Sequence, residues 1–197
     1  LQSAPSMGLP DNAERVLKAV GGAVSFLSVS TIEPRKGHAQ LLDAADVLWN
    51  QGKNICLVFV GKPGWSVDAL VDRIEGHRYF GERLFWLKGI SDEYLDLLYK
   101  KADCLVSASY GEGFGLPIVE AALKNMPLIV RDIPVFREVA GDGAVYFSGK
   151  QPEDLAAVMG TWLIDHEAGR SLPPEGVQVL SWDPSTKRLM EVVLGVN

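Results

Sequence analysis

The residues best suited to chemistry lie in one run, Ser109-Tyr110-Gly111-Glu112-Gly113-Phe114-Gly115-Leu116-Pro117-Ile118-Val119-Glu120, in which three glycines alternate through a turn and a proline follows. Pro117 suits the first position of a helix, because its missing N–H would have no partner there and its φ is already helical. The turn therefore reads as a helix start whose free N–H groups and positive dipole end can receive an anion. Glycine there lets the backbone come close to a phosphate or a sugar. Glu112 precedes the turn and Glu120 falls about one turn inside the helix, so the two carboxylates can flank one pocket. One could hold a hexose and the other a ribose. A second run, Val29-Ser30-Thr31-Ile32-Glu33-Pro34-Arg35-Lys36-Gly37-His38, sets two adjacent cations ahead of another helix start. Arg grips phosphate oxygens through paired N–H bonds while Lys adds a mobile point charge, so Arg35 and Lys36 suit a diphosphate.

Both runs need strands to deliver them to one place. Val24–Val29 is an apolar β-branched run, and a helix from Gly37 to about Asn50 follows, with Leu41, Leu42, Ala45, Leu48 and Trp49 on one face. Ile55–Val60 is a continuous apolar strand of the kind buried on both faces, and Gly61-Lys62-Pro63-Gly64 is its exit turn. Ser66 is expected to cap a helix to about His77, and Leu84–Leu87 is a short third strand. Ser91 then caps a helix with an acidic first turn, reaching about Lys101. Leu105–Ala108, Leu128–Arg131 and Val145–Phe147 supply further strands, between helices beginning near Pro117 and Pro134. Another helix runs from Pro152 to about Ile164, His166–Val179 reads as an irregular connection, and an amphipathic helix over about 183–194 closes the chain. The alternation predicts an α/β fold: one doubly wound, mostly parallel six-stranded Rossmann-like sheet, its core over about 24–164, with ligand at the carboxyl ends of the strands.

Composition narrows the function. With 197 residues, 47% hydrophobic and 22% charged, the chain has the make-up of a globular domain. A net charge of −6 provides no global field for a phosphate backbone, so nucleic acid is not an expected partner and any phosphate site must be local. The longest apolar runs fall far short of the roughly 20 residues a membrane helix needs. Cys56 and Cys104 sit in apolar strands and read as buried reduced thiols, which points to a reducing cytoplasm. His38, His77 and His166 have no metal-ligand spacing, and GxGxxG, Walker A, HExxH, CxxC and D-x-D motifs are all absent. No metal and no cofactor are expected. Charge on a departing diphosphate would fall to Lys36, Arg35 and the helix start.

The Glu112–Glu120 block resembles the hallmark of GT-B glycosyltransferases of the large retaining class often called family four, an E-x7-E pair within E-G-F-G-L-P. The resemblance implies that Glu112 contacts the donor sugar at the reaction centre, that Glu120 accepts from the ribose hydroxyls, and that the backbone of Gly113, Phe114, Gly115 and Leu116 meets sugar and phosphate. Lys36 matches the family lysine. Where the family has Gly-Arg this chain has Ser30-Thr31, and Arg35 replaces an acidic residue, so Arg35 is expected to take over the role of the arginine missing at Thr31. Gly61 matches a glycine that leaves room for the nucleotide, with a plain turn glycine as the competing reading. Ile90, in Gly89-Ile90-Ser91, matches the loop whose backbone reads the base. Gly141-Asp142-Gly143 is read as a turn.

The Thr-Ile-Glu-Pro-Arg-Lys variant is similar to bacterial mannosyltransferases of surface polysaccharide synthesis. The expected donor is then GDP-mannose, and the expected acceptor a glycan or lipid-linked glycan held by an N-terminal domain. The chain opens without Met and is expected to be the C-terminal, donor-binding half of such an enzyme, with peripheral contact at the inner face of the membrane an option for the other half. A non-catalytic nucleotide-sugar-binding module is the alternative from another class, and an epimerase or phosphorylase of the same fold the alternative within enzymes.

Overall fold

A computed structural model of the chain describes residues 4–177. Six strands form one parallel sheet: β1 (Val24–Val29), β2 (Ile55–Val60), β3 (Leu84–Leu87), β4 (Cys104–Ser107), β5 (Leu128–Arg131) and β6 (Val145–Phe147), in the order β3-β2-β1-β4-β5-β6. The helices are α1 (Ala13–Gly22), α2 (His38–Asn50), α3 (Asp68–Glu75), α4 (Asp92–Lys101), α5 (Leu116–Leu123), α6 (Pro134–Ala140) and α7 (Pro152–Glu167). The chain winds outward from β1 to β3 and then returns to place β4 on the other side of β1. The carboxyl edge between β1 and β4 is thus the switch point where an open α/β sheet forms its crevice.

Period-two alternation along the strands feeds two cores. Phe26, Leu57, Phe59, Trp86, Val106 and Ile129 point to the face covered by α2, α3 and α7, while Leu27, Val58, Phe85, Leu105 and Val130 point to that covered by α1, α4, α5 and α6. Parallel strands buried on both faces explain why β2 is apolar throughout. The register is continuous across the switch point, with Phe26 opposite Leu57 on one side and Cys104 on the other. Cys56 and Cys104 are free and buried, and burial pushes the Cys56 thiol up to about 12.

The expected doubly wound six-stranded sheet is present, and three elements differ from expectation. No helix was expected ahead of β1, yet α1 is there, burying Ala13, Val16 and Val20 along one stripe. Ser66 is not a cap: it sits at φ 53, and α3 begins at Asp68 after Val67. Val67 is 4% exposed, and burying it turns the chain at Ser66 before the helix can start. The same helix ends at Glu75, leaving His77 in a turn where its ring meets Asp46 at 2.9 Å. Finally, α7 runs to Glu167, because His166 stacks on Trp162 one turn earlier and continues the helix past Ile164. Ser91 does cap α4, accepting from the Tyr94 N–H at 3.1 Å. The final helix expected over about 183–194 lies outside the described residues.

Candidate functional site

The exits of β1 and β4 are zipped together. The Tyr110 N–H donates to the Arg35 carbonyl at 2.8 Å, and the Arg35 guanidinium donates back to the Gly111 carbonyl at 3.2 Å. Glycine makes this approach possible. Gly37 follows the short 3-10 turn Pro34–Lys36 at φ 73, and a Cβ there would lie 2.2 Å from the Ala108 carbonyl oxygen.

That contact delivers Lys36 to Glu112 across 76 residues of sequence, where Lys36 Nζ bonds Glu112 Oε1. Their side chains are only 10% and 14% exposed, which lifts the pair above an ordinary surface bridge. Ser109 Oγ donates to the same carboxylate at 3.2 Å, and Arg35 stands 3.8 Å from Oε2 while also binding Glu33 at 2.9 Å. All three residues expected to be catalytic therefore converge at the switch point. Arg35 is half exposed and serves as a tie between the loops as well as a cation.

The helix start behaves as its composition implies. Gly115 takes the left-handed cap position at φ 86, and Pro117 lies in the first turn of α5. Gly113, Phe114 and Leu116 are exposed around it, and the N–H groups of Gly113, Phe114 and Gly115 find no backbone acceptor among the described residues. They remain available to an anion.

Glu120 stands apart from the Lys36–Glu112 cluster in its contacts: its partner is the hydroxyl of Tyr99, at 2.7 Å. Thr31 is exposed beside Gly64 on the β1 exit. Gly61, at φ 152, is required by the protein's own backbone, because a Cβ would come 2.0 Å from the Ser30 carbonyl oxygen. Ile90 is half-buried and packs against the α4 side of the sheet. Gly141 and Gly143 belong to a turn.

Several residues supporting the site escaped the sequence reading. Arg131 closes β5 and is 6% exposed, yet no carboxylate pairs with it among the described residues. It donates to the Ala108 carbonyl at 3.0 Å, to the Gly149 carbonyl at 2.6 Å and to Gln40 Oε1, and it lies 4.1 Å from the Tyr110 ring centroid. One buried guanidinium thus fastens the start of the Glu112 loop to α2 and to the β6–α7 turn. A cation ending an otherwise apolar strand was the available signal. His38 is buried as well, and burial, then the nearby Lys36 charge, bring its pKa down to about 3, so the ring is neutral. Tyr99 had no distinguishing signal, since α4 reads as an ordinary amphipathic helix.

Known proteins place the chain in a family. The model of the family described as glycosyl transferases group 1 matches residues 11–176, and the chain belongs to that family, in agreement with the GT-B class anticipated from the Glu112–Glu120 block. Among its relatives, a serotype-specific mannosyltransferase, WbdA of Escherichia coli, is 48% identical over 96% of this chain, and the O-antigen chain mannosyltransferase RfbU of Salmonella typhimurium is 35% identical over 66%. The chain spans 23% of the length of the first and 35% of the second. Among solved structures, HepE of Anabaena in complex with UDP-glucose superposes with a TM-score of 0.73 at 19% identity, over 96% of this chain and 54% of the other. A glycosyltransferase of Rickettsia africae gives 0.73 at 17% identity over the same shares, 96% and 54%. At those identities the likeness concerns the fold.

Proposed function

We propose that this chain is the donor-binding half of a retaining mannosyltransferase that takes GDP-mannose without a divalent metal and extends a glycan or lipid-linked glycan in surface polysaccharide synthesis. The observation that carries the reading is the convergence of Lys36, Arg35 and Glu112 at the β1/β4 switch point, beside a helix start with open N–H groups. Cations and oriented amides are the groups that stabilise charge on a departing diphosphate. In this reading Lys36, Arg35 and the Gly113–Leu116 backbone hold the diphosphate. Glu112 serves the sugar, Glu120 the ribose, and Thr31, Gly61 and Ile90 line the nucleotide's path.

Glu112 pairs with Lys36, and in this reading a diphosphate competes for the lysine and releases the carboxylate toward the sugar. Mannose is favoured because the relatives at 48% and 35% identity are mannosyltransferases by name. The acceptor would be held by a further domain, and the reaction would run in the cytoplasm, in keeping with the two unpaired thiols.

Calorimetric titration with GDP, GDP-mannose, UDP, UDP-glucose and ADP in the presence of EDTA tests both donor and metal. GDP and GDP-mannose are expected to bind at least tenfold tighter than the uridine and adenosine nucleotides. Binding that appears only with added magnesium or manganese overturns the metal-free reading, and a preference for UDP overturns the guanosine one.

A further inference from the structure

We propose that Tyr99 is a positioning residue for ribose recognition: its hydroxyl donates to Glu120 and holds that carboxylate ready for the vicinal diol of the nucleotide. This rests on the reading of Glu120 as the ribose ligand.

Tyr99 lies in the last turns of α4 with 4% of its surface exposed, packed in the core shared by α1, α4 and α5. Its Oη is 2.7 Å from Glu120 Oε2. Burial first, then the Glu120 charge, raises the phenol's pKa far above its ordinary value, so Tyr99 keeps its proton and the bond runs one way, from hydroxyl to carboxylate. A second contact reinforces the alignment: Lys124, one turn beyond Glu120, pairs with Asp96, which lies three residues before Tyr99. Helices α4 and α5 are thus clamped along one stripe.

Burial in this core does not by itself give a tyrosine hydroxyl a partner. Tyr94, in the same helix and the same core, is buried with its hydroxyl unpartnered among the described residues. Tyr99 differs in having its hydroxyl aimed at a carboxylate that is otherwise free to swing on an exposed helix face. A carboxylate offers about four lone-pair sites on two oxygens. One hydroxyl on Oε2 therefore restricts the rotamers of Glu120 and leaves Oε1 whole for the two donors of a vicinal diol. Ordering the side chain before the nucleotide arrives removes part of the entropy cost of binding.

The test compares GDP, UDP and ADP with their 2′,3′-dideoxy counterparts by calorimetry, for the wild-type chain and for Tyr99→Phe, which keeps the ring and removes only the hydroxyl. The wild type is expected to prefer ribose over dideoxyribose for whichever nucleotide binds. Tyr99→Phe is expected to weaken the ribose form about fivefold, leave the dideoxy form unchanged, and so collapse the ratio. A merely structural role would weaken both forms together. Glu120→Gln approaches the pair from the other side: it should lower the same ratio, and Tyr99→Phe added to it should change nothing further. An unchanged ratio in Tyr99→Phe, or an additive double variant, overturns the proposal. A wild type that does not distinguish the two sugars instead overturns the ribose reading of Glu120 itself.

Discussion

Glu112 and Lys36 neutralise one another in a partly buried setting, and this sets apart the losses expected from the two glutamates. Removing Glu112 frees Lys36 for the diphosphate, so Glu112→Ala should leave GDP affinity unchanged or raise it, while weakening the sugar-bearing donor and depressing transfer in an enzyme that carries both halves. Glu120→Ala should weaken GDP and donor together, since a charge-assisted hydrogen bond is worth about 1.5–3 kcal/mol. Equal GDP losses in the two variants would refute the division of roles. His38 gives a separate expectation at the same scale. Its pKa is about 6.5 in the unfolded chain and about 3 when folded, so between those values the unfolded state binds more protons and stability falls as pH falls. From pH 7.5 to 4.5, urea denaturation should show the wild type losing about 2–3 kcal/mol more than His38→Gln. Parallel losses would mean that the ring is not held neutral.

At the scale of elements, the site exists because two loops meet. Gly37 is the point of closest approach, with its hypothetical Cβ overlapping the Ala108 carbonyl. Gly37→Ala combines left-handed strain with a backbone clash and should cost about 2–4 kcal/mol. It should also weaken GDP binding through displacement of Lys36. Arg131 acts on the same junction from beneath: Arg131→Met would remove the guanidinium donors from the Ala108 and Gly149 carbonyls and leave Gln40 Oε1 only the Tyr110 hydroxyl, and should lower stability by about 3 kcal/mol. Chemical denaturation and GDP titration of the two variants check both effects. A stable Gly37→Ala chain with unaltered GDP affinity would show that the loops can separate without harm to the site.

For the whole molecule, a net charge of −6 supplies no global field for an anion, and at the carboxyl edge of the sheet Arg35 and Lys36 are paired with Glu33 and Glu112, so the proposed anion binding rests on a local exchange of partners. In the proposed reading this edge forms one wall of a cleft whose other wall holds the acceptor. Transfer also requires an acceptor held within reach, because proximity supplies much of the rate. This chain alone is therefore expected to bind the donor and show negligible transfer, with activity appearing when it is joined to the remainder of a full-length relative such as the mannosyltransferase that it matches over 23% of its length. Radiolabelled mannose transfer assays on both forms decide this, and robust turnover by the chain alone would contradict it.

The sequence by itself determined the strands, most helices, the strand-to-helix punctuation and the Glu112–Glu120 block, because those features are written in local terms: apolar runs, period, proline and glycine at helix starts. Helix α1 escaped because its stripe is three small residues, Ala13, Val16 and Val20, beside a Gly-Gly end. Ser66 misled because a good capping residue was overruled by the burial of its neighbour Val67. Only the tertiary structure decided that Lys36 meets Glu112, that Gly61 and Gly37 each lie against the backbone of a neighbouring segment, that Arg131 is buried beneath the loop, and that Tyr99 reaches Glu120. Each of these depends on strand order and on distances between chain segments up to 91 residues apart, and no local pattern encodes which segments the winding of the sheet will bring together.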